Sequence, residues 1–327
     1  MTITYPIGTI IQHDGVSELI SSQELLAGMV KAPSLLPSGE PLALAGLNAW
    51  VGALLPFHQV GFHGVEIHDG WLPFPQFTPS EVDTLRTALA ETSLRAPSVA
   101  IARKSVIEPG LEDSHLEYTL RGLEVAHELG ASLVCLGLHP ILTTAQKAAN
   151  LFWSEPGRKD STDPETWATA VRHLKAIARR AETLGLEVSL ELYEDTLLGR
   201  VDSCLKLLSD IDSPIVGLNP DIGNLLRLDR PVDHWRELLE ALLPASNYWH
   251  VKNYTRVETA SGFQIEPTTL ENGVIDYPQA LALAEQGGFD GLIVCEQYSD
   301  DWLEVLQANR IFLEGLLASP TPARAEK

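Results

Sequence analysis

Glu187-Val-Ser-Leu-Glu191, Pro214-Ile-Val-Gly-Leu-Asn-Pro-Asp221, Asn247-Tyr-Trp-His250 and Gly291-Leu-Ile-Val-Cys-Glu296 stand in one stretch, and each apolar run ends on a potential metal ligand. Each run is rich in Val, Ile and Leu and is followed by polar residues and then a helical pattern. Short apolar runs alternating with amphipathic helices read as parallel βα units. In a closed parallel barrel the strand C-termini meet at one rim, where chemistry is placed. Two Glu, one Asp and one His at successive strand ends can therefore converge on one cation.

Working outward, the same alternation covers most of the chain. Ile3 to Gln12 reads as a first strand, and Ser21 to Glu40, with Pro33, Pro37 and Gly39, reads as loop. Leu42 to Leu55 has helical spacing. Gly64 to Asp69 is a second strand ending on His68 and Asp69, and Leu94 to Ala102 a third. Between them Ser80 to Glu91 starts as a helix, with Ser80 as N-cap and Asp83 three residues on. Leu111 to Leu129 is a helix closed by Gly130. Ser132 to Leu138 is a fourth strand, ending on His139. The segment from Pro140 to Asp163 is the longest irregular connection, either a lid or substrate surface or a solvated insertion. Helices follow over Pro164 to Leu184, Val201 to Ile211, Val232 to Leu243, Tyr277 to Glu285 and Asp301 to Leu317. An internal echo supports a repeated unit: Gly61-Phe-His-Gly64 precedes strand two and Gly288-Phe-Asp-Gly291 precedes strand eight. The reading is a single-domain α/β protein, a (β/α)8 barrel over residues 1–317 with a flexible tail over 318–327.

The bulk numbers set limits. With 327 residues, 45% hydrophobic and 20% charged, the chain is globular and long enough for one barrel. A net charge of −21 opposes binding to nucleic acid or an anionic membrane and favours a small-molecule substrate. Cys135, Cys204 and Cys295 are widely spaced and form no zinc-type pairs, which suits a reducing, cytoplasmic setting. No secretory signal is read at the N-terminus. Pro41 to Val65 carries no Asp, Glu, Lys or Arg, but Asn48, Pro56, His58, Gln59 and four Gly interrupt it, so it reads as a buried barrel helix rather than a membrane span.

The set Glu191, Asp221, His250 and Glu296 is hard and oxygen-rich. It suits one divalent ion, Mn²⁺ first, with Mg²⁺, Co²⁺ or Zn²⁺ as alternatives. Lys252, two residues after His250 on the same strand, points to the same side. It reads as an electrophile near the substrate or as a salt-bridge partner of Glu191 or Glu296. His139 at the end of strand four is a candidate general base. His115, His127, His173 and His234, on helices, are expected to be solvated.

At this point the sequence resembles the xylose isomerase-like TIM barrels, the sugar phosphate isomerase/epimerase family. The matching pieces are Leu190-Glu191, Asp221-Ile-Gly-Asn224, His250-Val-Lys252-Asn253, Gly273-Val-Ile-Asp276-Tyr277, and Gly288 to Glu296, together with Gly61 to Glu66. The resemblance implies a divalent ion held by Glu191, Asp221, His250 and Glu296. Ketose 3-epimerases of this kind carry an Arg six residues after the metal His, so Arg256 is implied to bind substrate oxygens. Asn224 stands where they carry a His and is assigned to the substrate side. Gly64 to Phe74 also resembles the active-site strand of xylose isomerase, where a His-Asp pair faces the sugar; Trp71 stands where a further Asp is expected. His68 then transfers a proton or bonds sugar hydroxyls, or else is a rim histidine bonded to Asp69. Trp71 stacks on the ligand or packs beneath a loop.

These parts lead to the expectation of a metal-dependent isomerase or epimerase of a keto sugar or related polyol. A proton beside the ketone is removed and returned through an enediolate, with Glu191, Glu296, His139, His68 and Lys252 as catalytic candidates. The alternative is a carbon–carbon lyase acting on an oxo-sugar, either an oxo-sugar-acid decarboxylase or the α subunit of a C-glycoside deglycosidase. An AP-endonuclease-like repair enzyme of the same fold fits less well, given the charge and the missing extended His set. A homo-oligomer is expected, or a hetero-oligomer with a small β subunit in the deglycosidase case.

Overall fold

The apolar runs form strands that pair side by side in chain order. The computed structural model describes residues 2–4, 12–13, 16–17, 27–30, 42–149, 151–260 and 262–318. The parallel strands are β1 (Ala27–Val30), β2 (Gly64–His68), β3 (Arg95–Ile101), β4 (Leu133–Leu136), β5 (Glu187–Glu191), β6 (Val216–Asn219), β7 (Tyr248–Val251) and β8 (Leu292–Cys295). Each of β1 to β5 pairs in parallel with the next strand, and β7 pairs with β8. The β6–β7 seam is held by a parallel bridge between Leu218 and Ser246, with Asn247 N–H donating to the Leu218 carbonyl at 3.3 Å. Between β8 and β1 the strand Thr2–Thr4 inserts antiparallel to both. The sheet therefore closes on itself, a (β/α)8 barrel with one antiparallel strand in its last seam.

The N-terminal reading needs correction. Thr2–Thr4 is the seam strand, and Gln12–His13 pairs with Val16–Ser17 in a small separate ladder. The rest of Ile3 to Gln12 lies outside the described residues. The first parallel strand is Ala27–Val30, inside the segment read as loop. Ala-Gly-Met-Val has neither alternation nor a run of β-branched residues. Its extended form is imposed by the partners it finds in β2 and Thr2–Thr4.

One long helix follows each barrel strand: α1 (Leu47–Gln59), α2 (Pro79–Glu91), α3 (Glu112–Glu128), α4 (Pro164–Leu184), α5 (Val201–Ile211), α6 (Trp235–Leu242), α7 (Tyr277–Gln286) and α8 (Trp302–Ala318). Helix α4 begins where Asp163 Oδ1 accepts from the Glu165 and Thr166 N–H groups, both at 2.9 Å. It ends on Gly185, whose φ of +67° is left-handed. The cap of α2 is Thr78 rather than Ser80. Its hydroxyl accepts from Glu81 N–H while the Glu81 carboxylate accepts from Thr78 N–H at 2.7 Å, and Pro79 fits the first helical position, where no N–H is needed.

The uncharged stretch from Pro41 to Val65 contains α1, whose Trp50, Leu54 and Phe57 are buried in the helix–sheet layer. Trp50 stacks on Phe77 at 5.3 Å between ring centroids. Among the described residues no helix is long and apolar enough to cross a membrane. A separate buried cluster of strand residues, Ala100, Leu133, Cys135, Tyr248, Leu292 and Val294, fills the lumen. The lumen is thus a packed plug under the rim rather than a pore.

Several connections at the C-terminal rim carry structure of their own, among them a 3-10 turn over Phe74–Gln76 after β2 and a helical turn over Gly223–Leu226 after β6. The long β4–α4 segment holds a short helix, Thr144–Ala148, and a 3-10 turn, Phe152–Ser154. After β7 the chain forms a hairpin of Asn253–Thr259 and Gly262–Thr268, absent from the sequence reading. His115 and His173 also correct an expectation, since both are buried. Their Nδ1 atoms lie 2.8 and 2.9 Å from the carbonyls of Ser105 and Val106, fastening the β3–α3 loop. A histidine on a helix can face inward whenever a neighbouring loop offers it a carbonyl. His127 and His234 are exposed, as expected.

Candidate functional site

Four consecutive strands deliver the four candidate ligands. Glu191 is the last residue of β5, Asp221 lies two residues past β6, His250 is within β7 and Glu296 follows β8 directly. Their ligand atoms all lie within 4.8 Å of one another. His250 Nδ1 is 3.6 Å from Glu191 Oε1 and 3.9 Å from both Asp221 Oδ2 and Glu296 Oε2. Lys252 joins the cluster, its Nζ 2.5 Å from both Asp221 Oδ2 and Glu296 Oε2. Its partners are therefore Asp221 and Glu296, where the sequence suggested Glu191 or Glu296. Asn224 is buried and donates to Glu191 Oε1 (2.9 Å), Asp221 Oδ2 (3.1 Å) and the Leu192 carbonyl (2.9 Å), so it holds two of the carboxylates in place.

Several features fit this cluster to a divalent cation. His250 Nδ1 and Asp221 Oδ1 are buried and have no hydrogen-bond partner, although buried polar atoms are normally satisfied. The other ring nitrogen, His250 Nε2, is 3.1 Å from Glu66 Oε1. Glu66 is fully buried, and its second oxygen accepts from the Tyr248 hydroxyl, which is itself 2.7 Å from Ser98 Oγ. A carboxylate behind a ligating histidine is the usual arrangement that fixes tautomer and ring orientation toward a metal.

The local charges agree. Burial disfavours a charged His250, but Glu66 and Glu191 push the imidazole up to about 10. Burial, with Glu296 and Glu191 nearby, pushes Asp221 up to about 8 despite Lys252. Burial also acts to raise Glu191, yet His139 and His250 hold it well below the usual carboxylate range. The Lys252 ammonium thus lies where the carboxylates call for positive charge.

The cluster forms the floor of a cavity of about 300 Å³ whose lining includes His68, Trp71, His139, Glu191, Asn224 and Glu296. His139 is buried, with Nε2 3.3 Å from Glu191 Oε2 and its ring 4.2 Å from that of Tyr193. Burial lowers the basicity of its imidazole, against the opposing pull of Glu191. Gly137 permits this, because a Cβ there would come within 2.3 Å of the His139 ring. His68 Nδ1 accepts from Gly70 N–H at 2.8 Å and lies 3.7 Å from Asp69. Asp69 ties β2 to β3 by accepting from Ala102 N–H at 2.9 Å. Trp71 is buried with its indole N–H unpartnered.

One candidate stays outside. Arg256, on the hairpin after β7, donates to the carbonyls of Leu226 (2.8 Å), Leu228 (2.6 Å) and Arg230 and covers the Phe263 ring at 3.8 Å. It fastens the hairpin to the β6–α6 loop and does not line the cavity.

Sequence reasoning missed Glu66 behind His250, and Arg103, Cys135, Tyr193 and Tyr298 in the cavity lining. The one signal available was a carboxylate between Val65 and Ile67 in an apolar strand, which burial makes costly unless it is partnered.

The fold and the site can be set against known proteins. A family model described as xylose isomerase-like TIM barrel matches residues 57–318. A xylose isomerase-like TIM barrel protein from Mycobacterium smegmatis, solved in complex with magnesium, is 32% identical; the match covers 89% of this chain and 95% of that one, with a TM-score of 0.84. L-ribulose-5-phosphate 3-epimerase UlaE from Salmonella paratyphi C is 23% identical over 274 residues, 81% of this chain and 85% of the relative. D-allulose 3-epimerase from Methylomonas sp. has the same fold at a TM-score of 0.62 and 15% identity, covering 89% of this chain and 97% of that one. On the family match across most of its length and the shared barrel, the chain belongs to the xylose isomerase-like TIM barrel family.

Proposed function

We propose that the protein is a divalent-metal-dependent epimerase or isomerase of a keto sugar. The observation that carries this reading is the convergence of Glu191, Asp221, His250 and Glu296 on one point, with the free His250 Nδ1 facing it, at the floor of a cavity of sugar-accommodating size. The relatives named as sugar 3-epimerases support it. Manganese is the favoured ion for a site of three carboxylates and one imidazole. A cytoplasmic homo-oligomer is the favoured setting.

A cation held by the four ligands would supply Lewis-acid polarisation of the substrate ketone. The remaining work falls to the chain. Glu191 has one oxygen turned to the ligand cluster and the other, Oε2, toward His139, so Oε2 is placed to take the proton beside the ketone. His139, 3.3 Å from Oε2, can receive or steady that proton. Lys252, held between Asp221 and Glu296, offsets negative charge as the enediolate forms. Glu296, which also lines the cavity, is the second group able to return the proton. Return to the other face of the same carbon gives an epimer, and return to the adjacent carbon gives an isomer. His68 and Trp71 on the opposite wall bind and orient the sugar.

The test is solvent exchange. Manganese-loaded protein is incubated in D₂O with a panel of ketoses and followed by NMR. Deuterium at the carbon beside the ketone, with an epimer or aldose appearing, is the expected result. Metal binding without exchange on any ketose overturns the reading, and release of an aglycone or CO₂ from an oxo-sugar moves the protein to the lyase class.

A further inference from the structure

A second cavity, of about 260 Å³, lies beside the first, and Arg103 and Tyr193 line both. The shared wall is built rather than accidental. Arg103 Nη2 donates to the Tyr193 hydroxyl at 2.6 Å and Nη1 to the Pro140 carbonyl at 3.2 Å. Its guanidinium lies 5.0 Å from the Tyr193 ring centroid and 4.9 Å from that of Phe152. On the 3-10 turn of the β4–α4 segment, Phe152 lines the first cavity and the next residue, Trp153, lines the second. The turn rests on buried Arg227, whose guanidinium sits 5.0 and 4.9 Å from those two rings and pairs with Glu194 at 2.9 Å.

The chemistry of the second cavity is specific. Its basic residues are Arg103, Arg158, Lys159 and Arg230. Its acidic residues are Glu155, Glu194, Asp195 and Asp229, equal in number. Asp195 takes Lys159 at 3.5 Å and Arg230 at 3.1 Å, while Arg158 pairs with Glu108. A charge-balanced rim whose cations are engaged exerts no net pull on a phosphate. Polar groups beside an indole suit a neutral polyhydroxylated ring, with donors and acceptors for its hydroxyls and a flat apolar surface for its C–H face. Arg103 and Asp195 also hold left-handed backbone, at φ +57° and +58°, although neither is glycine. Such conformations cost free energy and persist where the surroundings over-determine them, often at ligand clamps.

We propose that this second cavity is a subsite for a neutral glycosyl group, so that the substrate is a glycoside of the reacting keto sugar. The keto unit occupies the first cavity, the linkage runs along the Arg103–Tyr193 wall, and the second ring lies against Trp153. The proposal rests on the reading of the first cavity as the site of ketone chemistry. It differs from that reading in predicting that the free sugar is only part of the substrate.

The experiment takes the ketose giving the fastest deuterium exchange and compares it with its terminal phosphate ester and its terminal O-glucoside. All three are assayed on the metal-loaded full chain. The expected result is a kcat/KM for the glucoside at least about tenfold above both others, since binding energy from the remote ring is used at the reacting centre. Trp153→Ala should bring the glucoside down to within about twofold of the free ketose. A glucoside no better than the free ketose, or a phosphate ester better than the glucoside, overturns the subsite and leaves the epimerase reading standing. Absence of exchange with every ketose of the panel and with their terminal O-glucosides overturns the epimerase reading and the subsite with it.

Discussion

Glu66 shows how one buried side chain can govern the site without entering it. It lies 3.1 Å from His250 Nε2 and is held in turn by the Tyr248 hydroxyl, so it orients the ring. Glu66→Gln should lower divalent-metal affinity roughly 10- to 100-fold, measured by titration calorimetry. Affinity equal to wild type would show that the ring is oriented by something else. Asp69 makes a different kind of prediction. Burial pushes its carboxyl up to about 6, against hydrogen bonds from Ala102 and Tyr118 that work to lower it. A carboxyl whose folded pKa is raised binds its proton more tightly folded than unfolded, so stability falls as pH rises from about 4 to about 6. For this group alone the loss is up to about 3 kcal/mol. Asp69→Asn should therefore gain on wild type as pH rises through that window. Denaturant titrations at both ends check this, and a difference independent of pH would refute the assignment.

At the level of elements, the strands position the candidate ligands and the rim segments shape what reaches them. The β4–α4 segment was legible as an unusually long connection, but not its fixed place, which depends on Arg227 from the β6–α6 loop. Arg227 is fully enclosed with Glu194, while Phe152 and Trp153 sit on its face. Arg227→Met leaves Glu194 without its partner and should cost about 3–5 kcal/mol in chemical denaturation. It should also expose the Phe152–Ser154 turn to limited proteolysis. A loss under about 1 kcal/mol would mean that Glu194 finds water or another cation. The hairpin after β7 had no strong signal, because Asn253 to Thr268 is largely polar and gains its order from pairing with itself and from Arg256 reaching back to the β6–α6 loop.

For the whole molecule, the site concentrates negative charge in a chain whose net charge is already −21. A cation that binds only the folded state stabilises it by about 2.7 kcal/mol at a concentration of 100 times Kd. For a barrel of this length that corresponds to a rise of roughly 4 °C in Tm. Manganese should raise the melting temperature by about that amount and a chelator should reverse it. Asp221→Asn should abolish the response, and a metal-induced shift surviving in that variant would place the cation elsewhere.

The chain's local pattern determined the barrel, seven of the eight parallel strands among the described residues, and the place of the four candidate ligands at strand ends. Apolar runs and helical spacing are local properties, and a parallel barrel necessarily gathers strand C-termini at one rim. The tertiary structure alone decided what surrounds that rim. It made Ala27–Val30 a strand, turned His115 and His173 inward, carried Arg256 away from the cavity, and gave Lys252 its two carboxylates. It also brought Glu66 to His250 across 184 positions of sequence. These outcomes depend on which side chains meet once the sheet has closed, and no spacing along the chain encodes a contact between strands so far apart.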